Sequence, residues 1–122
     1  MLKIHAKNLD SITVLSLQGQ IVTGETDSLR TAVHTLPLTR AVILDLARVT
    51  TVDAHGLGVL LQLREWTNER AMRFELRNVR QHLIKIFEIT RLDTVFHITS
   101  SVEFFPSVAE RRVSMTALKS CA

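Results

Sequence analysis

The sequence predicts an α/β fold: a mixed β-sheet of about four to five strands with helices packed against it. Three observations carry this. Strand-like and helix-like apolar periods alternate along the 122 residues. Two β-rich stretches come first, separated by turn formers, before any helical pattern begins. A near-continuous apolar run, Ala41 to Leu46, then has the length and character of a central strand covered on both faces.

Taken in order, Leu2 to Ala6 is a short edge strand. Asn8 to Ser11 holds turn formers. Ile12 to Ile21 is β-rich, with Ile12, Val14 and Leu17 near period two, so the two strands form a hairpin. Thr23 or Thr26 can cap the next helix, because a hydroxyl oxygen accepts from an unpaired first-turn N–H. Leu29, Ala32, Val33 and Leu36 carry that helix, and Pro37 closes it. After the central strand a short polar stretch leads to Asp53. Leu57, Leu60, Leu61 and Arg64 then share one helix face, widened by Val59, Leu63 and Trp66. Met72 to Arg77 alternates as a half-exposed strand. Gln81 to Ile89 is a third helix, and Val95 to Ile98 a last strand. Ser100 to Glu103 can cap a final helix, with Pro106 in its first turn or at a kink. The order is β-β-α-β-α-β-α-β-α, in one domain over residues 1–110. Residues 111–122, with Arg111, Arg112 and Lys119, form a flexible basic C-terminal tail.

Composition narrows the function. Apolar residues at 46% and charged residues at 22% indicate a folded globular chain. The one cysteine, Cys121, permits no disulfide framework, so a reducing, cytoplasmic setting is expected. No apolar run reaches the roughly 20 residues that span a bilayer, so no membrane insertion is expected. The net charge of +3 is spread over scattered lysines and arginines, with one Trp and no Tyr to stack bases. Nucleic acid is therefore not an expected partner. His5, His34, His55, His82 and His97 have no paired short spacing, so neither a metal nor another cofactor is expected. No nucleophile, base and orienting group stand at a recognisable spacing, and the chain is read as non-enzymatic.

The informative segment is Val42 to Leu61. A buried strand leads into Asp53, and two glycines flank Leu57 as a helix begins. The Asp53 carboxylate can accept from first-turn N–H groups, and its charge suits the positive helix end. Gly56 and Gly58 lack side chains, so another molecule's backbone can approach there. Each glycine costs a helix interior about 1 kcal/mol, which is a reason to look for a close contact.

Val-Asp-x-x-Gly-Leu-Gly-Val-Leu at residues 52–60, after an apolar strand, resembles the signature of the STAS family, of the anti-sigma-factor-antagonist type. Leu17-Gln18-Gly19-Gln20-Ile21, Leu76-Arg77-Asn78-Val79 and Phe87 to Leu92 are similar to further family elements. The resemblance implies a STAS-like mixed sheet and a regulatory protein-interaction module, of partner-switching or stressosome type. It implies an anti-sigma factor, a serine kinase of the ATP-binding type, as partner, with other STAS proteins, including a second copy, as further partners. The contact surface it implies comprises Thr23, Asp27, Asp53, Ala54, His55, Gly56, Leu57, Gly58 and Leu61. Relatives carry Ser or Thr at the phosphoacceptor position, two residues after the motif aspartate. Here that position is His55, preceded by Ala54, and no hydroxyl stands at either place. Val22 stands where many relatives have an acid. Two alternatives remain. One is an accessory subunit of an ABC-type lipid transporter ATPase, a role that needs no phosphoacceptor. The other is phosphotransfer or ligand sensing at His55, which can also serve as a general base, a pH-sensitive contact or a plain loop residue.

Overall fold

A computed structural model describes residues 1–100. The final helix expected after Ser100, the basic tail and Cys121 lie outside the described residues. The elements run β1 (Lys3–Leu9), β2 (Ile12–Ile21), α1 (Asp27–His34), β3 (Ala41–Val52), α2 (Ala54–Glu69), β4 (Arg73–Val79), α3 (Gln81–Ile89) and β5 (His97–Ser100). The five strands form one sheet in the order β1-β2-β3-β4-β5. β1 pairs antiparallel to β2, and β2 to β5 run parallel.

Each parallel pair is joined by one helix and the strands advance in one direction. Right-handed crossovers therefore bring all three helices to the same sheet face. Period two in the strands supplies that face with Leu15 and Leu17 from β2, Val42, Leu44 and Leu46 from β3, and Phe74 and Leu76 from β4. The helices answer with Leu29 and Val33, then Leu57, Leu60 and Leu63, then Leu83 and Phe87. All belong to one core. The opposite face carries no helix among the described residues. The alternate residues there are Ser16, Gln18, Asp45, Glu75 and Arg77.

Several boundaries differ from the sequence reading. β1 runs on to Leu9, because the tight turn needs only Asp10 and Ser11, with Asp10 at φ 58°. β3 continues six residues past Leu46, since its polar end still finds β2: Gly19 pairs with Val49, and Ile21 with Val52. β5 begins at His97, not Val95, because Val95 and Phe96 close a turn onto Leu92. Among the described residues, helices cover only one face of β3, and Asp45 looks out on the other. Ile89, the last residue of α3, is 81% exposed. β2 and α3 keep their expected limits.

The C-terminal ends of β2 and β3 lie side by side. From them leave the β2–α1 loop and α2, so the two candidate segments meet at one edge of the molecule.

Candidate functional site

Asp53 is the N-cap of α2. Its extended backbone (φ −99°, ψ −176°) turns the side chain back over the first turn, where Oδ1 accepts from the Gly56 N–H at 2.8 Å. The second oxygen does something the linear sequence does not suggest. Oδ2 accepts from the Thr23 N–H at 3.0 Å and from the Thr23 hydroxyl at 3.2 Å. One carboxylate thus caps a helix and pins a loop 30 residues away. The Gly56 N–H, then the Thr23 N–H, and more weakly the Thr23 hydroxyl and nearby His55, hold the Asp53 carboxyl below the ordinary value of 3.8; partial desolvation opposes them.

A second bond closes the same gap. Thr26 Oγ1 lies 3.1 Å from His55 Nε2. Thr26 is the N-cap of α1, but its hydroxyl makes no capping bond to that helix. Neither threonine therefore caps α1 through its side chain: Thr23 goes to Asp53, and Thr26, only 2% exposed, goes to His55. A protonated Nε2 can donate to the hydroxyl oxygen, and a bare one can accept its proton. Either way, the imidazole at the position expected to carry an acceptor hydroxyl is already engaged within the chain.

The two glycines have separate roles. A Cβ at Gly56 would overlap the Ile21 carbonyl oxygen, 2.9 Å from the Ile21 carbonyl carbon. Gly56 is buried, and the backbone it admits is the end of its own β2, not another molecule's. The expected open approach at Gly56 is corrected on that ground. A Cβ at Gly58 meets nothing within 4 Å, so this glycine does leave open surface. Leu57 is 8% exposed and belongs to the core, so it offers a partner no side chain. Ala54 and His55 are exposed, and Gly58 and Leu61 are half-buried. Asp27 is exposed in the first turn of α1, with Arg30 at 3.5 Å.

The surface that results is made of Thr23, Gly24, Asp27, Ala54, His55, Gly58 and Leu61. The hydrogen bonds from Asp53 and His55 tie its two segments together from beneath. Among the described residues, no group of three His, Cys, Asp or Glu could hold a metal ion. No described helix is long and apolar enough to cross a membrane. Sequence reasoning found Asp53 and its cap. It missed the Thr26–His55 bond, for which the only sequence signal was a hydroxyl residue beside a helix start.

The family described as "STAS domain" matches residues 3–110. This chain belongs to the STAS domain family. Solved structures agree in fold. An anti-sigma factor antagonist from Mycobacterium paratuberculosis is 20% identical, with a TM-score of 0.71, over 80% of this chain and 85% of that one. A sulfate transporter family protein from Wolinella succinogenes is also 20% identical, with a TM-score of 0.64, over 75% and 80% of the two chains. The anti-sigma factor antagonist SpoIIAA in its unphosphorylated form is 18% identical, with a TM-score of 0.61, over 83% and 91%. The STAS fold is therefore shared by antagonists and by a transporter-family protein.

Proposed function

We propose that this STAS domain is a non-enzymatic regulatory interaction module of the anti-sigma-factor-antagonist kind, working in the cytoplasm. Its partner is an anti-sigma factor of the ATP-binding serine kinase class. The observation that carries the reading is the Asp53 bridge: one carboxylate joins the β2–α1 loop to the start of α2, making two distant segments a single contact surface. Preorganisation of that kind lowers the ordering entropy of association. Switching by a serine/threonine kinase at residues 54 and 55 is no part of this reading, because neither Ala54 nor His55 carries a hydroxyl. Binding to further STAS proteins, a second copy included, remains part of this reading.

A second reading has one observation in its favour. The fold also occurs in a transporter-family protein, and a transporter-associated subunit would need no phosphoacceptor.

A pull-down from lysate of the source cells, with ATP present and mass spectrometry of both bait and prey, separates these. The wild type should retain an ATP-binding serine kinase, and Gly58→Arg should lose it without any fall in melting temperature, since a side chain at that position meets open space and arginine is the better helix former. No phosphate should appear on residues 53–58. Retention of transporter subunits in place of the kinase would favour the second reading. Equal kinase capture by Gly58→Arg would move the contact elsewhere.

A further inference from the structure

The face of the sheet that carries no helix among the described residues holds a groove of about 590 Å³, lined by Lys3, His5, Ser16, Gln18, Asp45 and Arg48 among others. It is separate from the surface formed by the β2–α1 loop and α2, and its chemistry is different. Strand register places its side chains in two rows. Lys3, Gln18 and Arg48 stand across β1, β2 and β3 in one row, and His5, Ser16 and Asp45 in the next. Strands lie about 4.8 Å apart, so Lys3 and Arg48 start roughly 10 Å from each other on either side of the Gln18 amide.

The floor of the groove is a β-bulge with its polar groups satisfied. The register between β2 and β3 shifts between Ser16 and Gln18, which sets one extra residue into β3. The displaced Ala47 N–H donates to Asp45 Oδ1 at 3.0 Å, and the Ala47 carbonyl accepts from Arg80 Nη1 at 3.1 Å. Asn78, at φ 58°, donates its amide to the same Asp45 Oδ1 at 3.2 Å. Asp45 is thereby fixed through one oxygen, and none of its hydrogen bonds among the described residues uses Oδ2. Lys3 and Arg48 are exposed and form no ion pair among the described residues.

We propose that this groove binds a small hydroxy- or amino-carboxylate. Two cations beside an amide and a hydroxyl suit the carboxylate groups of a ligand. The remaining oxygen of a fixed acid, one row away, suits a hydroxyl or amine donor on the same molecule. The volume is that of a small-molecule site, whereas a polyanionic macromolecule would leave Asp45 facing its negative charge. The ligand is recognised by opposite demands at two rows of the sheet: acceptors toward Lys3 and Arg48, a donor toward Asp45.

The test is an NMR titration of the full chain, following amides of β1, β2 and β3. The probes are citrate, tricarballylate, which is citrate without its hydroxyl, and inorganic phosphate. Citrate should give saturable shifts confined to the groove, with tricarballylate and phosphate each binding at least about fivefold more weakly. Arg48→Gln, an exposed change that leaves the bulge intact, should weaken citrate about tenfold. Asp45→Asn should abolish the preference for citrate over tricarballylate. Linear, unsaturated shifts, equal binding of all three anions, or an unchanged Arg48→Gln would each overturn the proposal. So would tight binding of an acidic polypeptide such as polyglutamate in place of citrate.

Discussion

Asp53 joins stability to the shape of the proposed contact surface. Its charged form is favoured by the Gly56 and Thr23 donors, so its folded carboxyl titrates below 3.8. A depressed folded pKa adds stability that is present above the unfolded value and is lost as pH falls through the folded one. Asp53→Asn should therefore be less stable than wild type near neutrality, by a few degrees in Tm. The gap should close on acidification below the ordinary aspartate value. Thermal melts of both proteins across pH 2–7 check this; a gap that stays constant with pH would show that the charge is not what matters. Asp53 was legible in the sequence because a cap acts locally, on an N–H three residues away. Its Thr23 partner was not, because a bond spanning 30 residues leaves no periodic mark. Thr23 and Thr26 carry the same hydroxyl and lie three residues apart, yet they go to different partners. Only the position of α2 decides which one each finds.

At the level of elements, α2 holds two glycines that the sequence presents as equals. Gly56 packs onto the end of β2, and Gly58 faces open space. Gly58→Ala should stabilise the domain by about 0.5–1 kcal/mol, the helix-propensity gain of alanine over glycine. Gly56→Ala should destabilise it by about 1–3 kcal/mol, since the added carbon must displace the Ile21 carbonyl or shift the helix start. Urea unfolding of the two variants measures both signs, and a loss of stability in each would contradict the assignment. The limits of β2 and α3 were readable because apolar period and turn residues coincide there. The end of β3 was not, since register shifts against β2 break its period of two and space the buried residues as Leu46, Val49 and Val52. It is extended because β2 offers it a ladder of partners.

At the scale of the whole molecule, one core binds three helices to one sheet face. Leu44 sits at its centre, fully buried, in register with Leu15 and Leu76 on the neighbouring strands. Leu44→Ala should cost about 2–5 kcal/mol, from lost burial and the cavity left behind. Chemical denaturation reads this directly, and a loss below about 1 kcal/mol would mean the sheet centre repacks freely. Among the described residues, the same one-sided arrangement leaves the other face to Lys3, Asp45, Arg48 and their neighbours. The molecule thus has two unlike surfaces: a rim patch at the ends of β2 and β3, and a charged groove on the sheet.

Alternating periods, a buried strand and the Asp-x-x-Gly-Leu-Gly segment were enough, by themselves, to specify the α/β order through β5 and the STAS family. These are local patterns, and local patterns are written in residue spacing. Tertiary structure alone decided that Gly56 meets its own chain, that His55 is held by Thr26, and that Asp45 and Asn78 build a groove floor. Each of those depends on which residues three-dimensional packing brings within about 3 Å of one another, and separation along the chain carries no record of that.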